Sequence, residues 1–139
     1  MCGPARIVLR RRIEWIDTDA AAVYHWTTTF RLVEAAEAAL HDRLGIRERT
    51  FGRVPRVRVE ADFRRELHFY DLVDLELGVD RVGTSSVRYG FSLRHGETAA
   101  AEGHLVAVFV SRQPGGEPTP WPDDLRAALL EGGDQGIAG

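Results

Sequence analysis

The sequence predicts an α+β domain in which one long helix is buried by a single antiparallel sheet. Three observations lead there. Residues 30–44 carry strong helix formers with no Gly or Pro, and their apolar residues cover most of the helix circumference. From residue 56 onward the chain alternates apolar and polar residues with period two, in four successive runs. One further alternating run precedes the helix, which gives the order strand, long helix, four strands. All 139 residues are read as one domain. Its core spans about 6–112, followed over 113–139 by a linker, a short helix and a loose tail.

In the first run Ile7, Leu9, Ile13 and Trp15 share one face and Arg10, Arg12 and Glu14 the other. Arg11 falls on the apolar side, at the strand's outer end or against a second subunit. Residues 17–25 form a loop. Thr27, Thr28 and Thr29 are candidate N-caps for the helix. In the helix, Arg31, Glu34, Glu37 and His41 gather in one polar arc, and Gly45 supplies a stop. Residues 46–52 read as a polar connection. Val57, Val59, Ala61 and Phe63 then alternate with charged residues, as do Val73, Leu75, Leu77 and Val79. Ser85, Val87, Tyr89, Phe91 and Leu93 form the next apolar set, and 95–97 a hairpin turn. The last strand, 99–110, is apolar on both faces from Leu105 and belongs at the centre of the sheet. Residues 123–130 read as a short helix after the Gly- and Pro-rich 113–122, and the last eight residues as disordered. One sheet around one helix leaves an open edge, which favours an oligomer.

Composition narrows the function. The chain is 44% apolar and 28% charged, with a net charge of −3 and no lysine. That balance argues against broad nucleic-acid or anionic-membrane binding. The longest apolar run, 105–110, is too short to span a bilayer. No apolar stretch follows the basic residues 4–12, so a secretory leader is not expected and a cytoplasmic location follows by default. Cys2 has no partner for a disulfide. The five histidines show no i,i+4 pair, so no metal site is expected. Neither a phosphate-binding Gly-rich loop nor a Gly-x-Ser-x-Gly elbow occurs. Arg56, Arg58 and Arg64 share a strand face that reads as a phosphate contact or, with Glu60 and Asp62 between, as a solvated face.

The chemistry concentrates in 17–25, where Asp17, Asp19, Tyr24 and His25 precede the helix start. A carboxylate acts as general base on water or as nucleophile toward an activated carbonyl. Free N–H groups at the helix start, near His25 and Trp26, suit a carbonyl oxygen that turns negative. Asp19 fits the first role and His25 is a second acid/base candidate. The bland alternatives are a turn-making Asp and a satisfied histidine at a helix entrance. Tyr24 packs the turn or donates a proton. Glu34, central in the polar arc, lies on a solvated face or in an interface cleft. Asp17 sits two positions before Asp19; in an extended segment the two would point the same way and raise one pKa, and in a turn they would not.

The run Ile13-Glu14-Trp15-Ile16-Asp17-Thr18-Asp19-Ala20-Ala21-Ala22-Val23-Tyr24-His25, followed by Glu34-Ala35-Ala36, resembles the opening of the hotdog-fold acyl-CoA thioesterases. The 4-hydroxybenzoyl-CoA thioesterase and YbgC-like branches match best. The likeness extends in layout over about 6–112. It implies a central helix wrapped by a five-stranded antiparallel sheet, in homodimers that pair into dimers of dimers, with sites at the dimer interface. It places the catalytic carboxylate at Asp19, the carbonyl-polarising N–H at His25 or Trp26, and the YbgC-like histidine at His25. Ser85 and Ser86, with nearby arginines such as Arg88, correspond to contacts with the coenzyme A phosphates or pantetheine. The substrate is an acyl-CoA or an acyl-carrier-protein thioester. Coenzyme A or phosphopantetheine is thus part of the substrate, with no separate cofactor. This chain has Ala22 where the family has glycine, a position that permits φ > 0, and Thr27-Thr28-Thr29 where the family has Asn or Tyr. A hotdog hydratase or dehydratase, a non-catalytic acyl-binding module and a plain structural dimer are the competing readings.

Overall fold

A computed structural model describes residues 3–112 and 116–138. Its elements are β1 (Arg6–Arg12), a 3-10 turn (Trp15–Asp17), α1 (Thr27–Arg43), α2 (Arg47–Thr50), β2 (Arg56–Phe63), β3 (Leu72–Val82), β4 (Ser86–His95), β5 (Thr98–Val108), α3 (Asp123–Glu131) and β6 (Asp134–Ala138). The expected α+β order is present. The sheet, however, has six strands in the order β2-β5-β4-β3-β1-β6. The sixth corrects the reading of a disordered tail: Asp134–Ala138 pairs in parallel with β1. Arg43 at the end of α1 fastens this return. It donates to the carbonyls of Gly132 (2.6 Å), Gly133 (2.7 Å) and Arg6 (3.0 Å). Cys2 and residues 113–115 of the expected linker lie outside the described residues.

The period-two pattern does what it should on β3 and β4. Val73, Leu75, Leu77 and Val79 face inward with Val87, Tyr89, Phe91 and Leu93. They meet Leu32, Val33, Ala36 and Leu40 of α1, which packs on β1 and β3. Gly45 ends α1 as a left-handed residue (φ +74°). The Ile46 N–H reaches the His41 carbonyl at 2.9 Å and the Gly45 N–H reaches that of Asp42 at 3.0 Å. That is the Schellman pair of bonds, which satisfies two orphan carbonyls.

Several local expectations give way. β1 stops at Arg12, and Trp15 stands 64% exposed in the 3-10 turn. Arg11 is exposed near the outer end of β1. Residues 46–52 are not all polar surface, because α2 buries Thr50 and Ile46. β2 keeps its alternation but not its burial: Val57, Val59 and Phe63 are exposed, since α1 does not cover this edge strand. A register shift between Arg56 and Arg58 breaks the expected arginine stripe. Arg56 turns inward to Glu37, whereas Arg58 pairs with Glu60 and Arg64 with Glu102.

The polar arc of α1 splits as well. Arg31 and Glu34 are exposed, but Glu37 and His41 are buried. The Thr50 hydroxyl donates to the Ile46 carbonyl (3.2 Å) and so accepts from His41 Nδ1 (2.6 Å). His41 Nε2 is then the acceptor for the Tyr89 hydroxyl at 2.7 Å. This leaves a neutral imidazole. Burial first, and the Arg56 charge second, lower the His41 pKa to about 4. Burial also pushes the Tyr89 hydroxyl well up, helped by the neighbouring Glu37 carboxylate.

A pKa lower in the folded chain than in the unfolded one removes stability as pH falls. Below pH 6.5 the unfolded chain takes up a proton on His41 that the folded chain refuses until about pH 4. The unfolding free energy should drop by about 3 kcal/mol across that window from this group. Glu37, raised above the carboxylate range mainly by burial, works in the opposite sense. Urea titrations at several pH values, for the protein and His41→Gln, isolate the histidine's share: the variant should lose that part of the slope.

Candidate active site

The loop before α1 is built on Asp17. Its carboxylate is buried, accepts the Glu14 N–H at 2.7 Å and pairs with Arg31 of α1. Its carbonyl accepts the His25 N–H at 2.7 Å and the Thr28 hydroxyl at 3.3 Å. Asp17 therefore does structural work, and the two loop carboxylates do not share one environment. Asp19 is exposed. Its Oδ1 accepts the N–H groups of Ala21 (2.8 Å) and Val23 (3.3 Å), and Oδ2 has no partner among the described residues. The tight turn 19–23 puts Ala22 at φ +63°. Alanine accepts this left-handed conformation, which a glycine would adopt freely, at a cost of about 1 kcal/mol.

None of the three threonines caps the helix. Trp26 is the N-cap residue, without a side-chain cap, and Thr27–Thr29 form the first turn. His25 serves instead: its Nδ1 accepts the Thr27 N–H at 3.3 Å and lies 2.7 Å from the Thr27 hydroxyl. With Nδ1 accepting, the ring proton sits on Nε2 of this exposed residue. The two expected carbonyl-polarising donors, His25 and Trp26, differ in their backbone hydrogen bonds. The His25 N–H is spent on Asp17, whereas the Trp26 N–H meets no protein acceptor among the described residues. It opens the 17-residue α1, where the helix dipole favours negative charge.

Tyr24 is buried, and its hydroxyl accepts from Thr29 Oγ1 at 3.3 Å. Its backbone N–H donates to Leu67 (2.7 Å), which, with the Val23–His68 bridge, seats the loop on the β2–β3 connection. Glu34 lies two turns into α1, about 10 Å along the helix from its start. Its side chain makes no hydrogen bond among the described residues and faces outward on the helix side nearest β2.

Ser85, Ser86 and Arg88 are not brought to the loop within one chain. The loop neighbours the His95 end of β4, through His68, Asp71 and His95, and Ser86 opens the other end. The separation along the strand is roughly 30 Å. The Ser86 carbonyl accepts the Trp121 indole N–H at 2.9 Å, and Arg88 faces the outer side of the sheet beside Glu60 and His104.

Two concavities matter here. The larger, about 560 Å3, lies on the outer sheet face over Gly78 and Gly90, remote from the loop. The one beside the loop, about 320 Å3, is lined by Val23, Tyr24, Trp26, Phe63, Arg64, Arg65 and Glu66. The sequence did not point to Phe63 and Arg65 as neighbours of the loop, and offered Arg64 only as a phosphate contact, because only the chain's return after β2 brings them to Trp26. Among the described residues no group of three or more His, Cys, Asp or Glu side chains is arranged to hold a metal ion. No helix among them is long and apolar enough to cross a membrane.

Removing the Asp17 side chain strips the Glu14 N–H and Arg31 of their acceptor. Asp17→Ala should destabilise the chain by roughly 2 kcal/mol, the half-exposed Arg31 returning to water at little cost. Urea unfolding measures it, and a change under 0.5 kcal/mol would contradict this structural assignment.

Comparison with known proteins places the fold and loop in context. The chain is 29% identical over 107 residues to the 1,4-dihydroxy-2-naphthoyl-CoA hydrolase of Prochlorococcus marinus (strain MIT 9303), covering 68% of this chain and 71% of that protein. It is 28% identical over 123 residues to the protein of the same name from Synechococcus elongatus, covering 84% and 90%. The solved 1,4-dihydroxy-2-naphthoyl-CoA thioesterase from Synechocystis superposes with a TM-score of 0.77 at 17% identity, over 89% of this chain and 95% of that one. BH1999 gentisyl-coenzyme A thioesterase gives 0.77 at 20% identity, over 87% and 98%. A model of the thioesterase-like superfamily matches residues 12–129. The chain therefore belongs to the thioesterase-like superfamily and has the hotdog fold.

Proposed function

We propose that this protein hydrolyses an acyl-CoA thioester, with Asp19 as the reacting carboxylate. The observation that carries the reading is the division of labour in one loop: an exposed carboxylate with a free oxygen, and an unspent N–H at the start of a long helix. The curated relatives are named as hydrolases of a CoA thioester, so coenzyme A is the carrier taken here rather than a carrier protein. It is part of the substrate, and no separate cofactor is needed.

As general base, Asp19 takes a proton from water while the water oxygen bonds to the thioester carbon. The carbonyl oxygen becomes an oxyanion held by the Trp26 N–H and the helix dipole. The C–S bond then breaks, the acid is released, and the thiolate takes back the proton that Asp19 took from water, with His25 Nε2–H as a hydrogen-bond donor to the leaving sulfur. As nucleophile, Asp19 would bond to the carbon itself, expel the thiolate and form an anhydride that water cleaves. Tyr24 acts as a positioning residue through its buried ring. Glu34 belongs with the face of α1 that β2 leaves uncovered, and Ser85, Ser86 and Arg88 serve substrate only from a second copy.

Asp19→Asn is a clean test, because the amide oxygen keeps both loop hydrogen bonds and loses only basicity and charge. It should lower kcat for thiol release by about 100-fold or more with an unchanged unfolding curve. Retained activity would remove Asp19 from the chemistry. One turnover in 18O-water separates the two routes: label found in Asp19 marks the nucleophile. An enoyl-CoA assayed alongside tests for hydration.

The assembly proposed is a homodimer through β2, the edge strand whose inner face shows Val57, Val59 and Phe63. Exposed apolar residues on an open edge call for a partner. Val59→Arg should shift the mass measured by light scattering from dimer to monomer, and an unchanged mass would place the contact elsewhere.

A further inference from the structure

Trp15, Ile16, Phe69 and Tyr70 form an apolar ridge on two adjoining turns. The 3-10 turn carries the first two, and the β2–β3 connection carries the others. Backbone bonds lock the turns together: the Tyr70 N–H donates to the Ile13 carbonyl at 2.8 Å, and the Ile13 N–H to the Asp71 carbonyl at 2.8 Å. The Trp15 ring meets Phe69 edge-on with centroids 5.1 Å apart, and Phe69 lies 5.8 Å from Tyr70. Ile16 is 86% exposed, Tyr70 62% and Phe69 46%. Leu72, the first residue of β3, is exposed beside them. A lone exposed apolar residue needs no explanation, but a contiguous set of this size marks a contact surface.

Tyr70 is also strained. Its φ of +74° lies in the left-handed region, where a bulky side chain is an outlier and glycine is at ease. The conformation does not bury the ring. It holds the ring outward beneath the Arg12 guanidinium, 4.6 Å from the centroid, while Arg12 donates to the Tyr70 carbonyl at 3.1 Å. Backbone strain and an exposed aromatic ring thus meet at one residue, a combination that folding alone does not favour.

The charges around the ridge identify its cover. Arg11 and Arg12 stand exposed where β1 runs into it. The neighbouring acids are withdrawn. Asp17 is buried on the Glu14 N–H and Arg31, Asp71 accepts the His68 N–H at 2.8 Å, and Asp74 is held by Arg10 at 2.8 Å. Glu14 stays outward. A second copy meeting the ridge about a two-fold axis would set these arginines against each other. A protein groove would have to fit the protruding Ile16 side chain. A phospholipid surface fits any convex shape. It takes Ile, Phe and Leu among its acyl chains, seats Trp and Tyr at headgroup level and pairs arginines with phosphates.

We infer that this ridge docks the protein on an anionic phospholipid membrane. A net charge of −3 provides no general attraction, so the contact is local and shallow. The Phe69 N–H donates to the Ala22 carbonyl at 3.2 Å, so the docked face includes backbone that holds the Asp19 loop. Docking needs no substrate and stands apart from the hydrolase reading.

Flotation with vesicles tests it, using phosphatidylcholine alone and an equimolar mixture of phosphatidylcholine and phosphatidylglycerol. The wild type should float with the mixed vesicles and more weakly with phosphatidylcholine. Ile16→Ser should lower the partition coefficient on mixed vesicles by about tenfold, with an unchanged urea unfolding curve. Tyr70→Gly should lower binding as well without lowering the urea midpoint, whereas a ring with a purely structural role would lower the midpoint and leave binding alone. Arg12→Gln should weaken binding to mixed vesicles by about fivefold and leave phosphatidylcholine binding unchanged. A wild type that floats with neither vesicle overturns the inference, and so does binding that Ile16→Ser and Tyr70→Gly both retain. A fall in the light-scattering mass of Ile16→Ser would make the ridge an interface between copies and overturn it too.

Discussion

Much of the entrance to α1 depends on the hydrogen bonds made by Asp17. Through its carboxylate it fixes the 3-10 turn to the helix, and through its carbonyl it occupies the N–H of His25. The consequence is selective. Of the two donors at the helix entrance, one is spent inside the loop and the next has no protein acceptor among the described residues. Asp19 reaches its position by the same economy of donors, since its Oδ1 satisfies two N–H groups of the turn and leaves Oδ2 outward. A buried carboxylate with its bonds satisfied is costly to disturb, so Asp19 beside it can remain exposed without loosening the loop.

A second constraint is the distribution of cover over the sheet. α1 lies on β1 and β3, and α3 adds Leu125 and Leu129 to the same core. α1 meets β2 only sparsely: Phe30 packs on Phe63 and Glu37 pairs with Arg56, with Glu34 between them on the same helix side. The loop cleft opens at one end of this sparse contact, where Phe63 closes β2. Functional groups are thus placed where the protein's own core stops.

What the residues alone made legible was the local part. Alternation marked β3, β4 and β5, the Gly-free apolar run marked α1, and Gly45 marked its stop. The acidic loop before the helix stood out because Asp, Tyr and His crowd into nine positions. Partners distant in sequence were not legible. Glu37 and His41 read as surface because their arc is polar; they are buried because Arg56, Thr50 and Tyr89 come from other elements to meet them. The arginine stripe on β2 failed at a register shift that alternation does not encode. β6 escaped notice because a short Gly-containing tail carries almost no strand pattern of its own and is held by Arg43 from another element. Phe63 and Arg65 looked like the ordinary end of a strand because the seating of the 17–25 loop on the β2–β3 connection is a contact between distant parts of the chain.

The returning β6 also bears on how the molecule avoids growing. A sheet with two equal open edges is a building block for endless addition, each new copy exposing another edge like the one it covered. Here β1 is sealed by a five-residue strand that carries Gly136 in a left-handed conformation and offers little length for a further neighbour. The other edge, β2, has eight residues and exposes Val57, Val59 and Phe63 between its charged ones. If two such edges met about a two-fold axis, as in the dimer proposed above, each would be consumed by the other and the sheet would end in blunt strands on both sides. In that arrangement the tail would act as a terminator: association would close at a finite particle and not run on into a fibre.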